Sequence, residues 1–183
     1  MTVKNTSERW GSVAKFFHWS IAVLVIGMLA LGLYMAELPP VPSTFRLFAL
    51  HKSFGMIVLA LMVLRLLWRS FNARPEEMAA YKQWERILAR IIHWFLYAAV
   101  IAMPLSGWIM SSAKNFHVGV FGLFTLPDLV GPDKALAEQA EEFHETLAWC
   151  IIAALALHVV GALKHHIIDR DSTLRRMLPF AKV

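Results

Sequence analysis

The stretch FHETLAWCIIAALALHVVGALKHH, residues 143–166, carries histidines at positions 144, 158, 165 and 166 in an otherwise strongly apolar run. On an α-helix His144 and His158, fourteen residues apart, lie about 21 Å apart along the axis and only about 40° apart around it. One helix face would then hold two imidazoles at two depths. Ionisable side chains in a membrane-length helix are rare and mark function by default, and imidazole is a good ligand for transition metals. The spacing leaves room for two separate metal centres, whose other ligands must come from elsewhere in the chain.

The composition says what kind of scaffold holds them. With 58% hydrophobic residues and a mean hydropathy of +0.54, the chain is too apolar for an ordinary soluble surface and belongs in a bilayer. The net charge of +5 does not point to nucleic acid, because the basic residues flank apolar runs instead of forming a stripe. Cys150 is the only cysteine, so there is no disulfide framework, no Cys-x-x-Cys redox pair and no covalent haem-attachment motif. Any haem must be held by coordination and packing.

Four apolar runs predict helices over about residues 16–35, 47–68, 87–110 and 143–165, in a single membrane domain spanning residues 1–183. The first run, about 20 residues long, exceeds the core of a secretory signal, and no small-x-small cleavage site follows it; it is read as a retained helix. ELPPVPST, residues 37–44, cannot continue a helix, because its prolines lack amide donors. Residues 69–86 form a charged connection, and residues 111–142, ending in the acidic ALAEQAEEF, which is expected to be helical, are long enough to predict a cap over one membrane face. Pro104 and Gly107 fall inside the third run, where a bundle tolerates them. The expected fold is an all-α, integral-membrane four-helix bundle with its capping segment between helices three and four.

Lysine and arginine choose the orientation. With both termini inside, Lys4, Arg9, Lys15, Arg65, Arg69, Arg74, Lys82, Arg86, Arg90, Lys164, Arg170, Arg175, Arg176 and Lys182 lie on the inner side, against Arg46, Lys52, Lys114 and Lys134 outside. That asymmetry predicts N-in, C-in. Trp19, Trp68 and Trp94 then mark the inner interface and Trp108 and Trp149 the outer one.

Orientation sorts the histidines by depth. His51, near the outer start of helix two, matches His144; His18, near the inner start of helix one, matches His158. Facing imidazoles across a bundle are a common way to hold a haem iron. Any one of these histidines could equally be a packed, hydrogen-bonded interior residue, but four at matched depths favour haem, since unpaired polar rings in hydrocarbon are costly. Spacing alone leaves His93 in competition with His18, and His165 in competition with His158; His117, in the cap, could approach the outer centre. Arg65, fourteen residues after His51, shares its face at the inner depth, where it can pair with a propionate of the inner haem or snorkel to headgroups. Gly55 and Gly161 remove side chains beside the proposed ligands, which admits a porphyrin or close helix packing.

The His18-Trp19 pair, LHKSFG (residues 50–55), FGLFTLP (residues 121–127), FHETLAW (residues 143–149) and ALKHHIIDRDSTLRRM (residues 162–177) together resemble the bacterial di-haem cytochrome b561 family over nearly the whole length. That resemblance implies two non-covalent b-type haems with bis-histidine ligation, His18 with His158 and His51 with His144. It also implies quinone-linked electron transfer in the bacterial inner membrane, with ubiquinone as partner; one branch is similar to a superoxide oxidase. The expected function is electron transfer between a donor on the periplasmic side and the quinone pool. Two axial imidazoles leave no open position for oxygen chemistry, so superoxide would have to react outer-sphere at a porphyrin edge. On the outer segments seven acidic residues oppose four basic ones, which repels superoxide and makes a periplasmic redox protein an equal candidate donor. The alternatives are a membrane-anchor relay subunit of a larger dehydrogenase and a metal permease, the latter poorly served by helices whose only thiol is Cys150.

Overall fold

In a computed structural model, which describes residues 2–39, 41–73, 75–76, 82–179 and 181, the apolar runs fold as four long helices. They are α1 (Ser12–Ala36), α2 (Phe45–Ser70), α3 (Gln83–Ala113) and α4 (Lys134–Ile167), followed by the short α5 (Thr173–Met177). All four long helices have the length and apolarity to cross a membrane. Each overruns its predicted limits, α4 most of all. There the Asp133 carboxylate accepts a hydrogen bond from the Leu136 amide at 3.0 Å and starts the helix, so ALAEQAEEF is its first turns and not a separate part of the cap. At about 1.5 Å per residue, the 34 residues of α4 outrun a hydrocarbon core of about 30 Å. Its acidic start therefore stands clear of the apolar zone.

The remaining segment between α3 and α4 holds a two-stranded antiparallel hairpin, β1 (Gly119–Val120) with β2 (Phe124–Thr125). Phe121 and Gly122 turn it with φ of 50° and 73°, the two left-handed residues that a tight hairpin of this hand requires. The hairpin rests on α2. Phe121 N–H donates to Ser53 Oγ at 3.0 Å, and that buried hydroxyl lies 3.1 Å from the Gly119 carbonyl.

Successive helices run antiparallel, which gathers both termini and the α2–α3 connection at one end of the bundle. At this terminal end Lys15 Nζ donates to the Leu178 carbonyl at 2.8 Å, Trp19 Nε1 to Met177 at 3.0 Å and Asn5 Nδ2 to Ala73 at 2.8 Å. Lys164 closes on Glu85 at 2.5 Å. At the cap end Lys52 Nζ donates to the His117 carbonyl at 2.9 Å, and Lys114 pairs with Glu141 at 2.8 Å. Arg74 and Lys182, counted with the inner-side basic residues, lie outside the described residues.

Packing within the bundle is uneven. α1 lies along α2, α2 along α3 and α3 along α4, whereas α4 packs closely on neither α1 nor α2 among the described residues. A small core of Ile21, Val58, Met62 and Val100, flanked by Phe17, Leu24 and Tyr97, joins the first three helices. Large apolar side chains such as Val23 and Val160 are exposed, which is the surface a bilayer solvates. The open side of α4 is where the histidines meet.

Candidate haem sites

At the cap end His51 of α2 faces His144 of α4, ring centres 6.3 Å apart. The His144 ring is held from α3. Ser106 Oγ donates to the Met103 carbonyl at 2.8 Å and so presents its oxygen to His144 Nδ1, 2.9 Å away. That makes Nδ1 the protonated nitrogen and leaves Nε2 with a lone pair, the tautomer a metal needs. Two glycines make room for the rings. A Cβ on Gly107 would come within 3.2 Å of His144 Cε1, and one on Gly32 within 3.3 Å of His51 Cε1. From sequence Gly107 stood out only as a residue tolerated inside the third run, and Gly32 and Ser106 not at all. Of the two glycines expected beside the ligands, Gly55 faces Met28 and Pro104, and Gly161 has open space beside it. His51 Nδ1 is buried without a hydrogen-bond partner among the described residues.

At the terminal end His18 of α1 faces His158 of α4, ring centres 6.2 Å apart, and His93 of α3 stands edge-on to His158 at 5.1 Å. Arg65 Nη2 lies 3.4 Å from His18 Nδ1. Its guanidinium stacks over Tyr97 at 5.1 Å, and Arg69, one turn on, stacks over the same ring at 5.2 Å and donates to the phenol oxygen at 3.4 Å. Neither arginine meets a carboxylate among the described residues. Two guanidiniums sharing one aromatic ring at membrane depth form an anion-seeking pair.

The two other candidates point elsewhere. His165 Nδ1 lies 2.7 Å from Asp169 and 3.2 Å from Asp171, turned towards the C-terminal tail. His117, exposed in the cap, pairs with Asp128 at 2.9 Å.

Whether haem iron fits these pairs can be tested on the spacing. With a metal–imidazole bond of about 2.0–2.1 Å and about 1.2 Å from nitrogen to ring centre, two imidazoles on opposite sides of one metal have centres roughly 6.4 Å apart. The facing pairs, at 6.2 and 6.3 Å, match; His93 with His158, at 5.1 Å, is too close. The donor set is also right, since neutral imidazoles are usual axial ligands of haem and guanidinium is the preferred partner of a carboxylate.

A family model described as prokaryotic cytochrome b561 matches residues 9–180. The chain belongs to the prokaryotic cytochrome b561 family. It is 38% identical over 179 residues to cytochrome b561 homolog 2 of Escherichia coli (strain K12), covering 97% of this chain and 95% of that protein. Cytochrome b561 homolog 1 of the same organism is 27% identical over 176 residues, 96% of this chain and 99% of its own. The probable superoxide oxidase CybB of Yersinia pestis is 28% identical over 162 residues, 88% and 91% of the two chains. This cytochrome b561 is thus a membrane cytochrome of the cytoplasmic membrane, and the cofactor its family implies is haem b. The metal-permease alternative loses its ground.

Proposed function

We propose that this cytochrome b561 carries electrons across the membrane between two haem b groups, from a donor at the cap end to the quinone pool at the terminal end, ubiquinone being the expected partner. His51 and His144 would hold one haem and His18 and His158 the other. The observation that carries this reading is the pair of histidine couples, both near 6.3 Å and both spanning the side of α4 that lacks close helix packing. Bound haem would supply one-electron Fe(III)/Fe(II) chemistry. The protein's own part is to fix the depths of the four imidazoles, to set the His144 tautomer through Ser106, and to offer Arg65 to a propionate. The excess of lysine and arginine at the terminal end supports a cytoplasmic position for both termini.

Superoxide is the donor suggested by the relative named as a probable superoxide oxidase. The cap of this chain favours a different donor. Its lysines are engaged, Lys52 with the His117 carbonyl, Lys114 with Glu141 and Lys134 with Glu138, while acidic residues of α4 face outward. A periplasmic redox protein with a basic docking face fits this surface better than a small anion does. A relay subunit of a larger dehydrogenase would use the same two sites and would copurify with a soluble partner. Anaerobic stopped-flow mixing with a short-tailed ubiquinol, and separately with superoxide, tests the reading. Haem reduction by quinol is expected; a spectrum unchanged by both reagents would overturn the quinone-linked function.

A further inference from the structure

The outer side of the cap hairpin takes no part in the haem sites, and its composition is unusual for a loop. Residues 115–127, NFHVGVFGLFTLP, contain no Asp, Glu, Lys or Arg. Val118 and Val120 are buried, whereas Phe121, Leu123 and Phe124 are exposed, Leu123 to 80%. Three large apolar side chains on one hairpin form a patch that water solvates poorly. The charged groups of the cap lie elsewhere, at Asp128 and along the start of α4, where Lys114 pairs with Glu141 and Lys134 with Glu138.

The hairpin is fastened beside a membrane span. Ser53, whose hydroxyl meets it at 3.0 and 3.1 Å, is about 12 Å along the axis of α2 from Phe45. The 26 residues of α2 measure about 39 Å against a hydrocarbon core of about 30 Å, so a centred helix stands about 4–5 Å clear at each end. The attachment then falls about 7–8 Å inside the cap-end boundary, the depth at which an amphipathic element rests between headgroups and acyl chains. Phe121 packs edge-on to Phe54 of α2, ring centres 5.1 Å apart. Phe54 is followed on the same side of the helix, within about 80°, by Ile57 and Leu64, all three exposed. The apolar side of the hairpin thus continues the face that α2 turns to lipid. Lys52, at the same level, turns its ammonium to the His117 carbonyl, so the charge is not left in the apolar layer. The unpaired edges of a two-stranded hairpin keep it from sinking further, because their backbone groups need water.

We infer that the cap hairpin is seated in the boundary layer of the bilayer, with Phe121, Leu123 and Phe124 in contact with lipid. The cap then has two sides of different chemistry, an acidic one turned to water at the start of α4 and an uncharged one anchored in the membrane beside α2. Lipid suits the second side better than a protein partner does, since a patch without charge offers nothing to steer or orient a partner and runs without a break into surface that acyl chains already cover.

The test uses haem-loaded protein in phosphatidylcholine nanodiscs. The exposed Cys150 is first replaced, Cys150→Ser, and single cysteines are then introduced as Leu123→Cys and Phe124→Cys. Val23→Cys, on the lipid-facing side of α1, and Lys134→Cys, at the exposed start of α4, serve as references. Each is labelled with bimane, and its emission is compared in nanodiscs of plain lipid, in nanodiscs of lipid brominated near the start of the acyl chains, and in aqueous iodide. The labels at 123 and 124 are expected to behave like that at 23, losing emission to brominated lipid and little to iodide, with the haem spectrum unchanged. Quenching by iodide as strong as at 134 would overturn the inference. So would protection from both quenchers, which would mean that a second copy of the chain covers the patch. Where labelling at one position alters the haem spectrum, the other position decides.

Discussion

The two ends of the bundle hold similar imidazole pairs in unlike surroundings. At the cap end a neutral hydroxyl fixes His144, and two glycines leave space for the pair, Gly107 beside His144 and Gly32 beside His51. At the terminal end His18 and His158 sit beside two guanidiniums, a phenol and a third imidazole. The cap-end site is built on shape and tautomer, the terminal-end site on charge. Positive neighbours would favour the reduced state of an iron bound there, so under the proposed function electrons delivered at the cap end would be drawn towards the terminal end.

Changes confined to one end should therefore have different readouts. The largest effect is expected from Ser106→Ala, which deprives His144 Nδ1–H of its acceptor. Loss of such an orienting partner weakens metal binding by about tenfold or more, so haem titration should show a weakened cap-end site and an unaltered terminal-end one. Arg65→Leu should leave both haems in place and lower the midpoint potential of the terminal-end haem alone, by on the order of 60 mV, the shift for a tenfold change in a one-electron equilibrium. A potentiometric titration in which both haems move together would erase the contrast. Gly107→Ala places a methyl 3.2 Å from His144 Cε1; a shift of a few tenths of an ångström relieves it, so a loss of about 1 kcal/mol in cap-end haem affinity is the expected scale. Haem competition with an apo-acceptor protein would measure it.

The smallest effect concerns pH. Asp169, beyond the last membrane helix, has its carboxyl held below the ordinary value of 3.8 by hydrogen bonding to Lys164. A carboxylate with a depressed folded-state value adds stability above its unfolded value and loses it as pH falls through the folded one. Thermal unfolding of Asp169→Asn should thus lack a small acid-side loss, below about pH 3.8, that the native chain shows. The pair is solvent-screened, so the difference should be slight.

The helices were legible because each is a long apolar run, and the depths of the histidines because axial rise turns sequence spacing into depth, whereas the choice of His18 over His93 came from the family resemblance alone. Ser106, Gly32 and Gly107 were not, because their value depends on which face of α1 or α3 meets a ring on another helix, and spacing within one helix cannot supply that. That ALAEQAEEF is helical was legible, but its continuity with the fourth apolar run was hidden by acidic residues that interrupt the apolar pattern, although Asp133 was in place to cap one helix. The hairpin was too short to show a strand period. His165 stayed open as an alternative to His158 on spacing; its ring is turned to Asp169 and Asp171, which no periodicity could foretell.

The central claim is that α4 is shared by two separate haem sites. The most direct test is the ratio of haem b to polypeptide in the purified wild-type protein and in His144→Ala and His158→Ala. Two haems in the wild type and one in each variant, with different remaining spectra, is the predicted result. One haem in the wild type, or two retained in either variant, would contradict it.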